Sequence, residues 1–340
     1  MSVRRFAWTL ALAATASLPA LAPVAPIRAA DDAEATYLDP AKAPESYALQ
    51  GEFTGWMQKP GSDEKMDIGG QVIALGDDKY EAVGYPGGLP GAGWAKKIEP
   101  HRIAGQKEGD KLVFVEKKND VEARAEVAGD TMTLFYNGEK RGELKRVERE
   151  SPTLGAKAPE GAIVLFDGTS ADKWENGKMT EENLLAADTS TKQKFKDYKL
   201  HIEFRTPFKP AARGQARGNS GVYASSRYEI QVLDSFGLKG EDNECGGIYS
   251  IAKPDVNMCF PPLTWQTYDI DFTMAKYDDA GKKTAPARIT IKHNGVVIHD
   301  DIELPHGTPG KMAEGPEPAP IYLQGHGNPV VYKNVWIQEK

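Results

Sequence analysis

The sequence predicts an all-β protein of two domains, and three observations carry the prediction. Short runs of β-forming residues recur along the chain with turn residues between them. Two Asn-Gly pairs, Asn137-Gly138 and Asn294-Gly295, sit between such runs, as two-residue hairpin turns require. No segment keeps a long helical period, and 180–187 amounts to a turn or two. Many short strands at regular spacing indicate a sandwich or a barrel.

The first element is a leader. Arg4 and Arg5 precede an Ala/Leu-rich apolar run, 6–25, which exits through Ala29-Ala30. This is the three-part pattern of a secretory signal peptide, 1–30, with export to a periplasm or the outside as its consequence. Pro19, Pro23 and Pro26 would break a retained membrane helix. Removing the leader takes away Arg4, Arg5 and Arg28 and moves the formal net charge from −7 to −10. An acidic chain without a Lys/Arg stripe is repelled by phosphate backbones and anionic lipid, so neither nucleic acid nor, after cleavage, a membrane is an expected partner. About 310 residues then remain, more than one small core, which supports two domains. Oligomeric state is not legible.

A polar lead-in, 31–46, reads as a loose linker. The first domain, 47–150, follows as β-type runs at 47–54, 70–75, 79–85, 101–105, 111–116, 121–128, 131–136 and 142–147. Between them GYPGGLPGAG, 84–93, reads as an exposed loop. SPTLGAKAPEG, 151–161, has the composition of a linker, and the second domain is 162–340. Its strands alternate at 199–206 and 268–274, flank Asn294-Gly295 at 288–292 and 296–299, and end at 330–338.

Two stretches carry candidate chemistry. In GNSGVYASSRYEIQVLD, 218–234, Arg227, Glu229 and Gln231 share one parity, and Tyr228, Ile230 and Val232 share the other. One strand face is therefore polar, with Glu229 and Gln231 roughly 7 Å apart along it. Asp234 has the wrong parity unless a bulge returns it to that face. Such a row suits a sugar, whose hydroxyls need paired donors and acceptors and whose C–H faces need aromatic rings. Asn219, Ser220, Tyr223 and Tyr249 are further members of the set, and a plain solvent-facing sheet is the alternative. The second stretch is YLQGHGN, 322–328, where Gln324 and His326 are separated by glycines that let backbone approach a ligand. An imidazole titrates near neutral pH, which fits His326 to proton transfer, although a lone His is more often structural.

Other chemistries lack their signatures. There is no HxH or HExxH pair, no GxSxG elbow, no phosphate-binding glycine loop and no EF-hand spacing. No cofactor is predicted, and acidic residues are plentiful enough to leave a divalent cation such as calcium open. Cys245 and Cys259 are the two cysteines; in an oxidising compartment they are expected to close a disulfide, with two buried free thiols as the alternative.

Seven motifs in the second domain occur in a fixed order: LFDGTSADKW (165–174), DYKLHIEFR (197–205), GNSGVY (218–223), RYEIQVLDSFG (227–237), WQTYDI (265–270), NGVVIHD (294–300) and LQGHGNPVVYKNVWI (323–337). Together they resemble the 3-keto-disaccharide hydrolase domain family. The resemblance implies a concanavalin A-like jelly-roll β-sandwich, preceded here by a smaller all-β domain whose role it does not cover. It implies action on glycosides whose C3 hydroxyl is already a ketone, by elimination and rehydration. Carried onto this chain, Glu229, Asp234 and His326 become the candidate acid/base groups. Asn219, Ser220, Tyr223, Arg227, Gln231, Tyr249 and Gln324 become the sugar-binding set. The order Glu229-x-Gln231-x-x-Asp234 is also similar to the bulged E-x-D-x-x-E strand of jelly-roll β-glucanases. Its central acid is replaced here, and a retaining mechanism wants two carboxyls about 5–5.5 Å apart. A lectin-like protein without turnover, an ordinary glucanase and a structural wall protein are the competing readings.

Overall fold

The computed structural model describes residues 35–59 and 61–340. The expected signal peptide lies outside the described residues. Eight strands come first: β1 (Gly51–Gln58), β2 (Lys65–Ala74), β3 (Lys79–Pro86), β4 (His101–Glu108), β5 (Lys111–Lys118), β6 (Val121–Ala128), β7 (Thr131–Tyr136) and β8 (Glu139–Val147). Each pairs antiparallel with the next, and β1 also pairs with β8, so the sheet closes as a barrel. Asn137 (φ 49°) and Gly138 (φ 82°) make the β7–β8 turn, both in the left-handed region that this turn demands.

Alternation along the strands sends Phe53, Val72, Tyr80, Leu112, Phe114 and Val127 into one end of the barrel as a packed core. A one-turn helix, α1 (Glu45–Leu49), caps that end, and this corrects the expected run 47–54. Tyr47 leaves the strand because its ring packs edge-on against Phe208, 5.4 Å between centroids. The lead-in is likewise packed: Tyr37 forms a β-bridge with Phe208, and Asp39 caps the turn Pro40–Lys42.

The rest of the chain is a two-sheet sandwich. Its strands begin with β9 (Ile163–Phe166), β10 (Trp174–Glu175), β11 (Leu185–Ala186), β12 (Thr189–Thr191), β13 (Tyr198–Arg205), β14 (Ser220–Ala224) and β15 (Tyr228–Val232). They continue as β16 (Gln266–Thr273), β17 (Lys276–Tyr277), β18 (Lys283–Ala285), β19 (Ala287–His293), β20 (Val296–Leu304), β21 (Tyr322–Leu323) and β22 (Val331–Glu339). One sheet has the order β10-β12-β21-β14-β15; the other runs β11-β22-β13-β16-β19-β20, with β9 beside β22. Neighbours far apart in sequence, in two stacked sheets, are the jelly-roll arrangement. The core between the sheets holds Ile202, Phe204, Val222, Ile230, Val232 and Leu323, so the all-β expectation holds in both halves.

Barrel and sandwich touch through Ile73, Val83 and Tyr85 packed against Phe236. The stretch 84–93 is therefore only partly exposed, since Gly88, Leu89 and Pro90 are buried. The expected linker 151–161 lies across the outer face of the larger sheet. Thr153 Oγ1 donates to Asp269 Oδ2 at 2.7 Å, and Gly155 N to Glu203 Oε1 at 2.6 Å. Ala156 O accepts from Asn334 and Trp336.

Under this strap His201 is fully buried, stacked on Trp336 with 5.1 Å between rings. Its Nδ1 lies 2.6 Å from Asp269 Oδ1 and its Nε2 3.3 Å from Glu203 Oε1. Burial by itself lowers the imidazole pKa, but the two carboxylates outweigh it and raise the pKa overall. A proton held more tightly in the folded state stabilises below the unfolded value of about 6.5 and is lost as pH rises through the folded value. Thermal melts across pH should show a steeper alkaline decline for wild type than for His201→Gln. Equal slopes would remove His201 from the pH response.

Cys245 and Cys259 correct the expected disulfide: both are free, buried thiols. Cys245 Sγ lies 3.2 Å from Tyr268 Oη, and Cys259 Sγ 3.6 Å from Leu233 O. The two thiols are also neighbours of each other, hydrogen-bonded side chain to side chain but not bridged.

Candidate active site

The site is built on the outer face of the five-stranded sheet, whose inner face is core. The strand registers set Tyr322 beside Tyr223 and Tyr223 beside Glu229, one row across β21, β14 and β15. A second row runs beside it. Gly221 faces Gln231, and Gln324 N donates to Gly221 O at 2.8 Å. Segment 246–249 continues the sheet past β15, with Gln231 N and Gly246 N bonded across to Gly247 O and Gln231 O. Tyr249 N reaches Glu229 O at 3.2 Å.

Glycine at 221 is a requirement of this layout. A Cβ there would lie 2.8 Å from Glu229 Oε1, so a side chain would displace the carboxyl that bends over the gap. Glu229 is only 4% exposed. Tyr223 Oη donates to its Oε2 at 2.7 Å, and Gln324 Nε2 donates to Tyr223 Oη at 3.0 Å. Thr308 Oγ1 accepts from Glu229 N at 2.9 Å and fixes the loop over this end. Burial pushes the Glu229 pKa up to about 7, against the opposing pull of Tyr223 and Gln324. A carboxyl with that proton affinity can both take and return a proton near neutrality. The same burial, with Glu229 beside it, pushes the Tyr223 phenol far up, so Tyr223 stays a donor.

Gln231 and Asn219 continue the polar face: Gln231 Nε2 donates to Asn219 Oδ1 at 2.8 Å and to Ser220 O at 2.9 Å. Tyr249 is half-buried beside Tyr223. Three residues absent from the expected set join them. Tyr322 stacks tilted against Tyr223 at 5.3 Å, and its hydroxyl lies 3.4 Å from Asp188 Oδ1. Lys311 sits over the Tyr322 ring at 4.2 Å and donates to Ser190 Oγ at 3.1 Å. Tyr322 shares parity with Gln324, a signal present in YLQGHGN; nothing local marks Lys311 or Asp188.

Several expected members fall elsewhere. Asp234 is not returned to the face, because β15 ends at Val232 with no bulge in its pairing. Its carboxylate is buried against Arg217, 2.6 Å and 3.1 Å from Nη2 and Nε. Arg227 is a staple rather than a ligand-facing group: its guanidinium donates to Ala313 O, Glu317 O and Ser225 Oγ. Ser220 Oγ turns inward to Tyr332 Oη and Gln324 O. His326 is exposed two residues past Gln324, on the loop that follows β21, with no side-chain hydrogen bond among the described residues. Among those residues no three His, Cys, Asp or Glu side chains converge into a metal-holding group.

Residues 161–338 match the model of the family described as the 3-keto-alpha-glucoside-1,2-lyase-like domain. A crystal structure of a candidate glycosyl hydrolase from Parabacteroides distasonis is 31% identical, covers 54% of this chain and 85% of its own, and superposes with a TM-score of 0.50. A second protein from that organism, described in the same words, is 18% identical over 53% of this chain and 94% of its own, with a TM-score of 0.38. No curated protein matches the chain.

Proposed function

Since this chain belongs, over residues 161–338, to the 3-keto-alpha-glucoside-1,2-lyase-like domain family, its second half is a carbohydrate-active domain, and we propose that it cleaves 3-keto-glucosides by elimination across C1 and C2. The observation that carries the reading is the near-neutral, desolvated Glu229 carboxyl held by Tyr223 and Gln324.

A ketone at C3 acidifies the proton on C2. In this reading Glu229 takes that proton as a carboxylate, the C1–C2 double bond forms, and the C1–O bond breaks with its electron pair leaving on oxygen. The departing oxygen takes up a proton from water and leaves as the alcohol. Gln324 and Asn219 are the donors for charge that develops on the C3 oxygen, while Tyr223 keeps its one O–H on Glu229; such donors act most strongly in a site closed to water. Tyr249 is the aromatic residue left to meet the sugar, since the Tyr322 ring is already covered by Lys311 and Tyr223. Addition of water to the unsaturated product then gives net hydrolysis. The proposal includes export, on the leader at 1–30.

The test is to offer the protein a disaccharide oxidised at C3 and its unoxidised parent, in water and in D₂O. Only the oxidised sugar should be consumed, with deuterium appearing at C2 of the hydrated product. The rate should rise with pH through about 7, as Glu229 loses its proton. Equal cleavage of the parent would indicate an ordinary glycosidase, and saturable binding without product a lectin; either defeats the proposal.

A further inference from the structure

The barrel holds a site of its own. Its plugged end is packed, but the opposite half of the interior encloses a cavity of about 560 Å³ that reaches the turn at 61–63. Protein interiors seldom leave voids larger than a water molecule, and an eight-stranded barrel either fills with side chains or keeps room for one small ligand. This barrel does both, one at each end.

The cavity wall explains the empty volume. Ile68, Ile103, Met132, Leu134 and Leu144 make it apolar. Gly70, Ala82, Gly84, Ala123 and Ala125 withhold side chains where the packed end carries Tyr80 and Phe114. Gly84 is instructive. A Cβ there would meet nothing nearer than Ile68 Cδ1 at 3.7 Å, and its φ lies outside the left-handed region. Neither clash nor backbone conformation demands glycine, so what its missing side chain supplies is space. At Gly70 the nearest atoms to an added Cβ are Leu144 Cδ2 and Met132 Sδ, both at 3.4 Å. Polar side chains line it too: His101 Nε2 pairs with Glu116 Oε2 at 3.0 Å, Arg141 with Gln58 and Glu139, Lys59 with Glu64, and Arg124 with Glu126, its Nε buried without a partner among the described residues. Each of these charged side chains already has an ion-pair or hydrogen-bond partner, and most of the wall is apolar. All eight strands are paired on both sides, so no open edge invites a peptide strand.

We infer that the barrel binds one small, uncharged, largely apolar molecule, inserted through this open end with any polar group left at the rim. The volume falls in the range of about 300–1,000 Å³ over which pockets take up small molecules. The site is separate from the Glu229 face and does not depend on how that face is read.

The test is a fluorescence titration of the full chain with N-phenyl-1-naphthylamine, an uncharged apolar probe, with decanol as competitor. Wild type should bind one probe per chain and release it to decanol. Gly84→Val and Ala125→Leu, which fill the cavity, should each weaken binding at least tenfold while thermal melts stay at or above wild type. The Glu229→Gln variant should bind the probe as wild type does, which separates this site from the sugar face. Absence of saturable binding, or wild-type affinity in both filled variants, overturns the inference; if one variant melts early, the other decides.

Discussion

Replacing Glu229 by Gln is expected to lower kcat on a 3-keto-disaccharide by about 10³-fold, within the range of roughly 10²–10⁴ that a positioned acid/base group contributes. The substitution preserves shape and leaves a carbonyl to accept from Tyr223, but it cannot take a proton. Stability should survive, and the pKa says why. The folded-state value is raised above the ordinary carboxylate range, so the folded protein favours the neutral group, and above about pH 7 the buried charge is a cost that Gln removes. Melting temperature at alkaline pH should hold or rise while product, followed by chromatography, disappears. Turnover within tenfold of wild type would take Glu229 out of the mechanism.

That residue was legible because strand alternation is a local rule. Glu229 and Gln231 share parity in RYEIQV, and β15 obeys it. The barrel strands were legible for the same reason; 121–128 and 131–136 agree with β6 and β7 to the residue. What failed was decided by partners distant in sequence. Tyr47 fits a strand by propensity, yet Phe208, far along the chain, draws it into a helix that caps the barrel. Arg227 has the parity of the polar face, but the carbonyls of Ala313 and Glu317 occupy its guanidinium. The spacing of Cys245 and Cys259 suggested a bridge, and the fold does bring the two thiols into contact, but as free, buried groups without the covalent bond. Closure of eight strands into a barrel, and the emptiness of half of it, depend on β1 meeting β8 and on small residues gathered from separate strands. No single window of sequence contains that information.

Asp234 supplies the second large effect, and it should be one of stability. Its side chain is buried against Arg217, itself 3% exposed, and Phe236 N donates to its other oxygen at 3.3 Å. Removing one partner of a buried pair leaves the other charge uncompensated, which costs roughly 3–5 kcal/mol. Asp234→Asn should lower the urea midpoint by an amount of that order, with turnover per folded molecule within a few-fold of wild type. The double variant Arg217→Met with Asp234→Leu should recover much of the loss, because a well-packed apolar pair often matches a buried ion pair. A catalytic Asp234 would behave in the opposite way: Asp234→Asn would fold as wild type and lose turnover by orders of magnitude. The two outcomes separate cleanly because Asn keeps the shape, so only the charge is tested, against the guanidinium or against the substrate.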